Sequence, residues 1–226
     1  MPITTSPHPT VHQLPLTPGA FAALAKSRFR ATPPDPCRAA AGYGPSDFDL
    51  NPGHEADFNT RLPYRLAAVL VPIVARPEPH VLLTQRTPNL SKHAGQIAFP
   101  GGTVDARDTT AVMTALRETE EEIGLSSDLI SPLGFLDCYR TGTGYVITPI
   151  VGLVEPGFEL TLNAHEVESS FEVPLSFLLD PANHLVDTRT IRGRERQFYA
   201  IPHQGRYIWG ATAGIIRNMY ERLLLS

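Results

Sequence analysis

Glu121 and Glu122 stand three and four residues after Glu118 in the run Arg117-Glu118-Thr119-Glu120-Glu121-Glu122-Ile123-Gly124-Leu125. On a helix these spacings bring all three carboxylates onto one face, with neighbouring side chains about 5–6 Å apart. Anions that close repel one another, and a divalent cation is the simplest relief. Hard cations prefer oxygen ligands, and magnesium is usually held by a few carboxylates together with waters and substrate phosphates. Gly101 and Gly102, after Pro100, fit such a site, because glycine lets the backbone approach a ligand and can aim the Gly101 carbonyl at a metal. Arg117, four residues before Glu121, is placed to pair with an acid and hold it. A solvated acidic face on an ordinary surface helix would account for the same glutamates.

The helix that carries them is marked by a weakly apolar stripe at Ala111, Ala115, Leu116, Thr119 and Ile123, with Gly124 as its stop. Asp108 reads as its N-cap. Short apolar runs at Ala67–Val74 and His80–Gln85, separated by Arg76-Pro77-Glu78-Pro79, predict two buried strands joined by a turn. Further strands are expected at Ser131–Tyr139, Tyr145–Val154 and Phe171–Val173, then a short helix at Leu175–Leu179. A hairpin is expected over Thr188–Tyr207 with Gly205 at its turn. The last helix is expected over Ala211–Leu225, its core stripe formed by Ile215, Ile216, Met219, Tyr220, Leu223 and Leu224. Strands on both sides of the acidic helix predict an α/β fold, a mixed sheet between helices.

The acidic run resembles the second half of the Nudix box of the Nudix hydrolases, G-x5-E-x7-R-E-U-x-E-E-x-G-U with U apolar, at every fixed charged or glycine position. Thr119 replaces the apolar residue, and the spacing from Gly102 to Arg117 is one residue longer than the pattern, with Asp108 near where its first glutamate would fall. The upstream stretch, Leu82-Leu83-Thr84-Gln85-Arg86 and His93-Ala94-Gly95-Gln96-Ile97-Ala98-Phe99-Pro100-Gly101-Gly102, resembles the added signature of the coenzyme A diphosphatase branch, L-L-T-x-R-[SA]-x3-R-x3-G-x3-F-P-G-G. Thr87 stands where that signature has serine or alanine, and Ser91 where it has arginine. Serine cannot replace the bidentate phosphate binding of a guanidinium.

The resemblance implies a Nudix-type α/β/α sandwich and a metal-dependent hydrolase that cuts the diphosphate of coenzyme A or acyl-CoA into 3',5'-ADP and 4'-phosphopantetheine or its acyl derivative. It implies Mg2+ or Mn2+ on Gly101, Glu118, Glu121 and Glu122, and catalytic roles for Glu121, Arg117 and Glu166, with Glu168 as the alternate to Glu166. Substrate contacts are expected from Arg86 and His93. A Nudix hydrolase of ADP-ribose or NADH is the nearer rival, and a non-catalytic nucleotide-binding module the more distant one.

Composition bounds the rest. The net charge of −4 has no basic block behind it, which argues against nucleic acid held on a phosphate-tracking surface and favours a small anionic substrate neutralised by a metal. No apolar run approaches the roughly 20 residues that span a bilayer, and the first residues lack a secretory pattern. Cys37 and Cys138 are too few for a disulfide framework or zinc site, so a reducing cytoplasm is expected. The expected partners are thus the nucleoside diphosphate substrate, no nucleic acid and no membrane; a homodimer is one assembly compatible with the chain. Residues 1–62, rich in proline, are expected to form a peripheral arm with a helix near Gly19–Phe29, and residues 63–226 the hydrolase domain.

Overall fold

The computed structural model of the chain describes residues 17–53, 63–89, 94–191 and 193–225. Its elements run α1 (Pro18–Arg28), α2 (Pro36–Ala40), β1 (Arg65–Val74), β2 (His80–Arg86), β3 (Ile97–Ala98), β4 (Gly101–Thr103), α3 (Ala111–Ile123), β5 (Ile130–Phe135), β6 (Tyr139–Arg140) and β7 (Tyr145–Val154). The chain continues through β8 (Val167–Pro174), α4 (Leu175–Leu179), β9 (Leu185–Ile191), β10 (Arg194–His203), β11 (Arg206–Trp209) and α5 (Ala211–Leu224).

The main sheet follows the order β3-β2-β1-β7-β5, with β4 beside β1, β6 beside β7 and β8 beside β2. The β1–β7 pairing is parallel and those of β1 with β2 and β4 are antiparallel, so the sheet is mixed. Both faces of β1 are buried, which is why it reads as a continuous apolar run. Ala68, Leu70 and Val74 join one core under α3, together with Leu82, Ala115, Ile123, Ile150 and Val154. Val71 and Ile73 turn to the other core, under α1, α4 and α5, with Val81, Leu83, Leu178, Ile216 and Met219. This is the expected α/β/α sandwich.

Several boundaries differ from the sequence expectation. The strand expected over Ser131–Tyr139 is divided between β5 and β6. A register shift lies between Pro132 and Gly134, and Arg30 bridges to Phe135 where the chain bends. Gly134 has φ 154°, and an added Cβ would stand 2.9 Å from that of Phe29. The single hairpin expected over Thr188–Tyr207 is a three-stranded meander, β9-β10-β11, because a further turn falls at Gly193 before the one at Gln204-Gly205. Phe21 and Ala25 of α1, and Phe29 just after it, are buried in the main core. Trp209 is half-buried on the meander against Phe198. Cys37 and Cys138 are free thiols. No helix among the described residues is long and apolar enough to cross a membrane.

Candidate active site

Helix α3 begins on Thr110, whose hydroxyl accepts the Met113 N–H at 3.1 Å, and ends on Gly124 at φ 68°. Asp108 is therefore not the N-cap. The extra residue in the preceding loop moves Asp108 far enough from the helix start to do something else: its two oxygens accept from Arg117 Nε at 3.0 Å and Nη2 at 2.8 Å. Those contacts hold the Asp108 carboxyl well below the usual carboxylate range. Thr114 and the Asp105 N–H also donate to it. Sequence reasoning missed this role, although Asp108 lies near the position of the box's first glutamate.

Arg117 consequently has a fixed guanidinium, and its Nη1 donates to Glu118 at 2.8 Å and to Glu121 at 2.9 Å. The expected pairing with Glu121 is present, with Glu118 added. Arg107 adds a looser contact to Glu121 at 3.5 Å. Thr119, the departure from the apolar pattern, is fully buried and returns its hydroxyl to the Ala115 carbonyl at 2.6 Å. A threonine can occupy this core position because the helix itself satisfies its hydroxyl.

Glu122 is the deepest of the three acids, 4% exposed. Its Oε2 accepts the Gly101 N–H at 3.2 Å, and its Oε1 lies 3.6 Å from Arg86 Nη1. Burial pushes the Glu122 carboxyl up to about 7, and the charges of Glu166 and Glu118 add to the rise against Gly101 and Arg86. Burial likewise raises Glu118, with Arg117 opposing. Gly102 packs directly on Glu118: an added Cβ would lie 2.4 Å from its carboxylate. Arg86 ends β2, and its Nε is buried with no hydrogen-bond partner among the described residues.

Glu166 reaches this cluster from the loop before β8. Asn163 N–H donates to the Glu122 carbonyl and Thr161 N–H to that of Ile123, so the loop rests on the end of α3. Thr87 fixes the next turn, its N–H donating to the Glu166 carbonyl at 3.0 Å and its hydroxyl to that of His165 at 3.3 Å. The charge of Glu166 acts on both Glu118 and Glu122. Glu168 is exposed, one residue past buried Val167. Arg86, Gly101, Arg117, Glu118, Glu121, Glu122 and Glu166 are thus gathered in one region, while His93, with Ser91 and Lys92, lies outside the described residues.

Among the described residues no three carboxylate, imidazole or thiol groups converge on one point as a finished metal cage. Arg117 engages Glu118 and Glu121, while Gly101 and Arg86 engage Glu122. The donor chemistry nevertheless suits a hard cation: the groups are all carboxylate oxygens. The upward shifts at Glu118 and Glu122 come first from burial, and the charges of neighbouring acids add to them.

The α/β/α sandwich thus presents the acidic face of α3 beside the glycine turn of β4. A model of the NUDIX domain matches residues 63–187, more than half of the chain, which therefore belongs to the Nudix family. A protein named uncharacterized Nudix hydrolase NudL, from Photorhabdus laumondii, is 44% identical over 160 residues, covering 70% of this chain and 85% of that one. Its namesake from Escherichia coli K12 is 43% identical over 159 residues, covering 70% and 82%. The solved NUDIX domain of Shewanella oneidensis NrtR, complexed with ADP ribose, is similar at 17% identity and a TM-score of 0.44, over 83% of this chain and 97% of that one. The activity of this chain is Nudix hydrolysis of a nucleoside diphosphate derivative, and members of the family work with divalent cations.

Proposed function

We propose that the chain is a cytoplasmic coenzyme A diphosphatase, cutting coenzyme A or its acyl derivatives into 3',5'-ADP and the 4'-phosphopantetheine part. The observation that carries this reading is that Arg86 and Gly102 of the Leu82–Gly102 signature both abut the acidic cluster. Arg86 lies 3.6 Å from Glu122, and Gly102 packs against the Glu118 carboxylate. A substrate recognised by that stretch would present its diphosphate to the same carboxylates.

Glu118, Glu121, Glu122 and the Gly101 carbonyl would hold the Mg2+ or Mn2+. A bound cation supplies charge neutralisation at the phosphates and lowers the pKa of a water. The rest is done by the chain. Arg117, itself fixed by Asp108, keeps Glu118 and Glu121 facing the site. Arg86 can turn from Glu122 to a phosphate oxygen, since its contact there is long for a charged hydrogen bond. Glu166 is the better placed general base, because two arginines engage Glu121 while, among the described residues, the side-chain contact to Glu166 is a 3.4 Å one from Asn163. His93 would contact substrate from the signature loop.

A panel of coenzyme A, dephospho-coenzyme A, ADP-ribose and NADH, with the products identified, tests this. Coenzyme A is expected to be the preferred substrate, with 3',5'-ADP released. A charge-assisted contact to its 3'-phosphate contributes about 1.5–3 kcal/mol, roughly tenfold or more in discrimination. Ser91 stands where the signature has arginine, so the preference should be weaker than in enzymes that keep that arginine, and Ser91→Arg should strengthen it. Efficient cleavage of ADP-ribose or NADH with coenzyme A untouched would refute the coenzyme A assignment and leave the Nudix chemistry standing.

A further inference from the structure

Among the described residues the β9-β10-β11 meander ends in an open edge. Among the described residues β9 pairs only with β10, and all side chains from Leu185 to Thr190 are exposed, Leu185 by 48% and Val186 by 52%. The outward-facing backbone groups of β9 follow from the far side of β10. There the Gln197 N–H donates to Asn51 Oδ1, Asn51 Nδ2 donates to the Gln197 carbonyl, and the Gly210 N–H donates to the Tyr199 carbonyl. Odd-numbered residues of β10 therefore aim away from β9. Gln197 faces Thr188 across the ladder, and facing residues of an antiparallel pair aim both inward or both outward. The N–H and C=O groups of Val186, Thr188 and Thr190 thus point off the sheet.

Proteins usually protect such an edge by shortening it, bulging it, or placing lysine or proline on it. β9 has seven residues, neither proline nor lysine, and an unbroken register against β10. We propose that this edge joins two copies of the chain, β9 pairing antiparallel with β9 about a two-fold axis at Thr188 to give one six-stranded sheet. Charge selects that register. Outward groups meet only when an even-numbered residue faces an even-numbered one, so Thr188 can face Thr188, Val186 or Thr190 of the second copy. Thr188 against Val186 sets Asp187 against Asp187, and Thr188 against Thr190 sets Arg189 against Arg189. Thr188 against Thr188 sets Asp187 against Arg189 twice, at non-hydrogen-bonded positions where side chains come closest. It also lets Val186 and Thr190 exchange their outward N–H and C=O groups at both ends.

Both charges are held on one face of the strand. The Tyr207 hydroxyl donates to Asp187 Oδ2, and the Arg189 guanidinium lies 4.6 Å from the centre of the Trp209 ring. Pairing asks one concession: the Thr188 N–H, which now donates to Asp187 Oδ1 at 2.7 Å, must turn to the second copy.

Sedimentation equilibrium over a concentration series tests the proposal on the full chain, and no residue assigned to the hydrolytic site lies in β9. The expected mass is twice 24.7 kDa. Asp187→Arg and Arg189→Asp should each be monomeric, since each sets like charges together at both crossings. Their equimolar mixture should form a dimer of one chain of each kind. Thr188→Pro should be monomeric with an unchanged circular dichroism spectrum, because the lost N–H faces outward and its hairpin does not use it. A monomeric wild-type chain, a mixture that stays monomeric, or a dimer indifferent to these substitutions would overturn the proposal.

Discussion

Glu122 is a buried acid near Glu118 and Glu166, with a long contact to Arg86. In the metal-free protein its folded value, about 7, lies above the ordinary 4.5. Its contribution to stability is therefore complete below the unfolded value and is lost as pH rises through about 7. The difference corresponds to on the order of 3 kcal/mol. Metal-free wild type should accordingly melt lower at pH 8 than at pH 5, while Glu122→Gln should flatten that slope; parallel melting curves for the two proteins would contradict it. At this scale the sequence is legible where chemistry and spacing coincide, as in the three glutamates and Arg117. The Asp108–Arg117 pair is not legible, because an inserted loop residue decides which of two roles Asp108 takes.

The glycine turn at β4 shows how an element shapes the site. Gly101 has φ 146°, and an added Cβ would stand 2.4 Å from the Ala68 carbonyl oxygen and 2.6 Å from the Val69 Cα, neither of which can move alone. Gly101→Ala should therefore destabilise the fold by about 3 kcal/mol. At Gly102 the obstacle is the Glu118 carboxylate, the far end of a flexible side chain. Gly102→Ala should leave the melting temperature within a few degrees of wild type and lower turnover at least tenfold by displacing Glu118. Equal loss of stability in the two variants, read by denaturant unfolding beside turnover, would show that the turn does not distinguish backbone from site. The pair Gly101-Gly102 is visible in the sequence, but their separate obstacles are not, since each comes from a residue distant in the chain. Helix α3 and strands β1, β2 and β7 are legible from local periodicity. The divided β5–β6 strand is not, because its bend answers to Phe29 and Arg30 across the fold.

The whole molecule is tied together at Asp137, between β5 and β6. Arg222 of α5 donates to it from Nε at 2.7 Å and Nη2 at 2.6 Å, and Arg30 from the N-terminal segment at 3.1 Å. Burial raises the Asp137 carboxyl, but Arg222 and Arg30 outweigh it and hold the group below its ordinary value. Its contribution is thus complete above the ordinary carboxylate range and is lost as pH falls through the lowered folded value. Asp137→Asn should cost about 2 kcal/mol at neutral pH, below the figure for a fully buried pair because both arginines keep some solvent. The deficit should shrink in melts taken below about pH 4; a neutral-pH stability equal to wild type would contradict the role. No residue spacing predicts this junction, which joins positions 30, 137 and 222 only through the fold. The layered architecture, by contrast, is legible, since strands apolar on both faces require helices on both sides.

Turnover of coenzyme A or another nucleoside diphosphate derivative, measured with chelator and then with added Mg2+ or Mn2+, tests most directly whether the acidic face of α3 is a cation site. Activity should vanish with chelator and return with either metal, and Glu122→Gln and Glu121→Gln should each lose orders of magnitude in turnover while remaining folded. Undiminished turnover in excess chelator would contradict the assignment of Glu118, Glu121 and Glu122 as metal ligands.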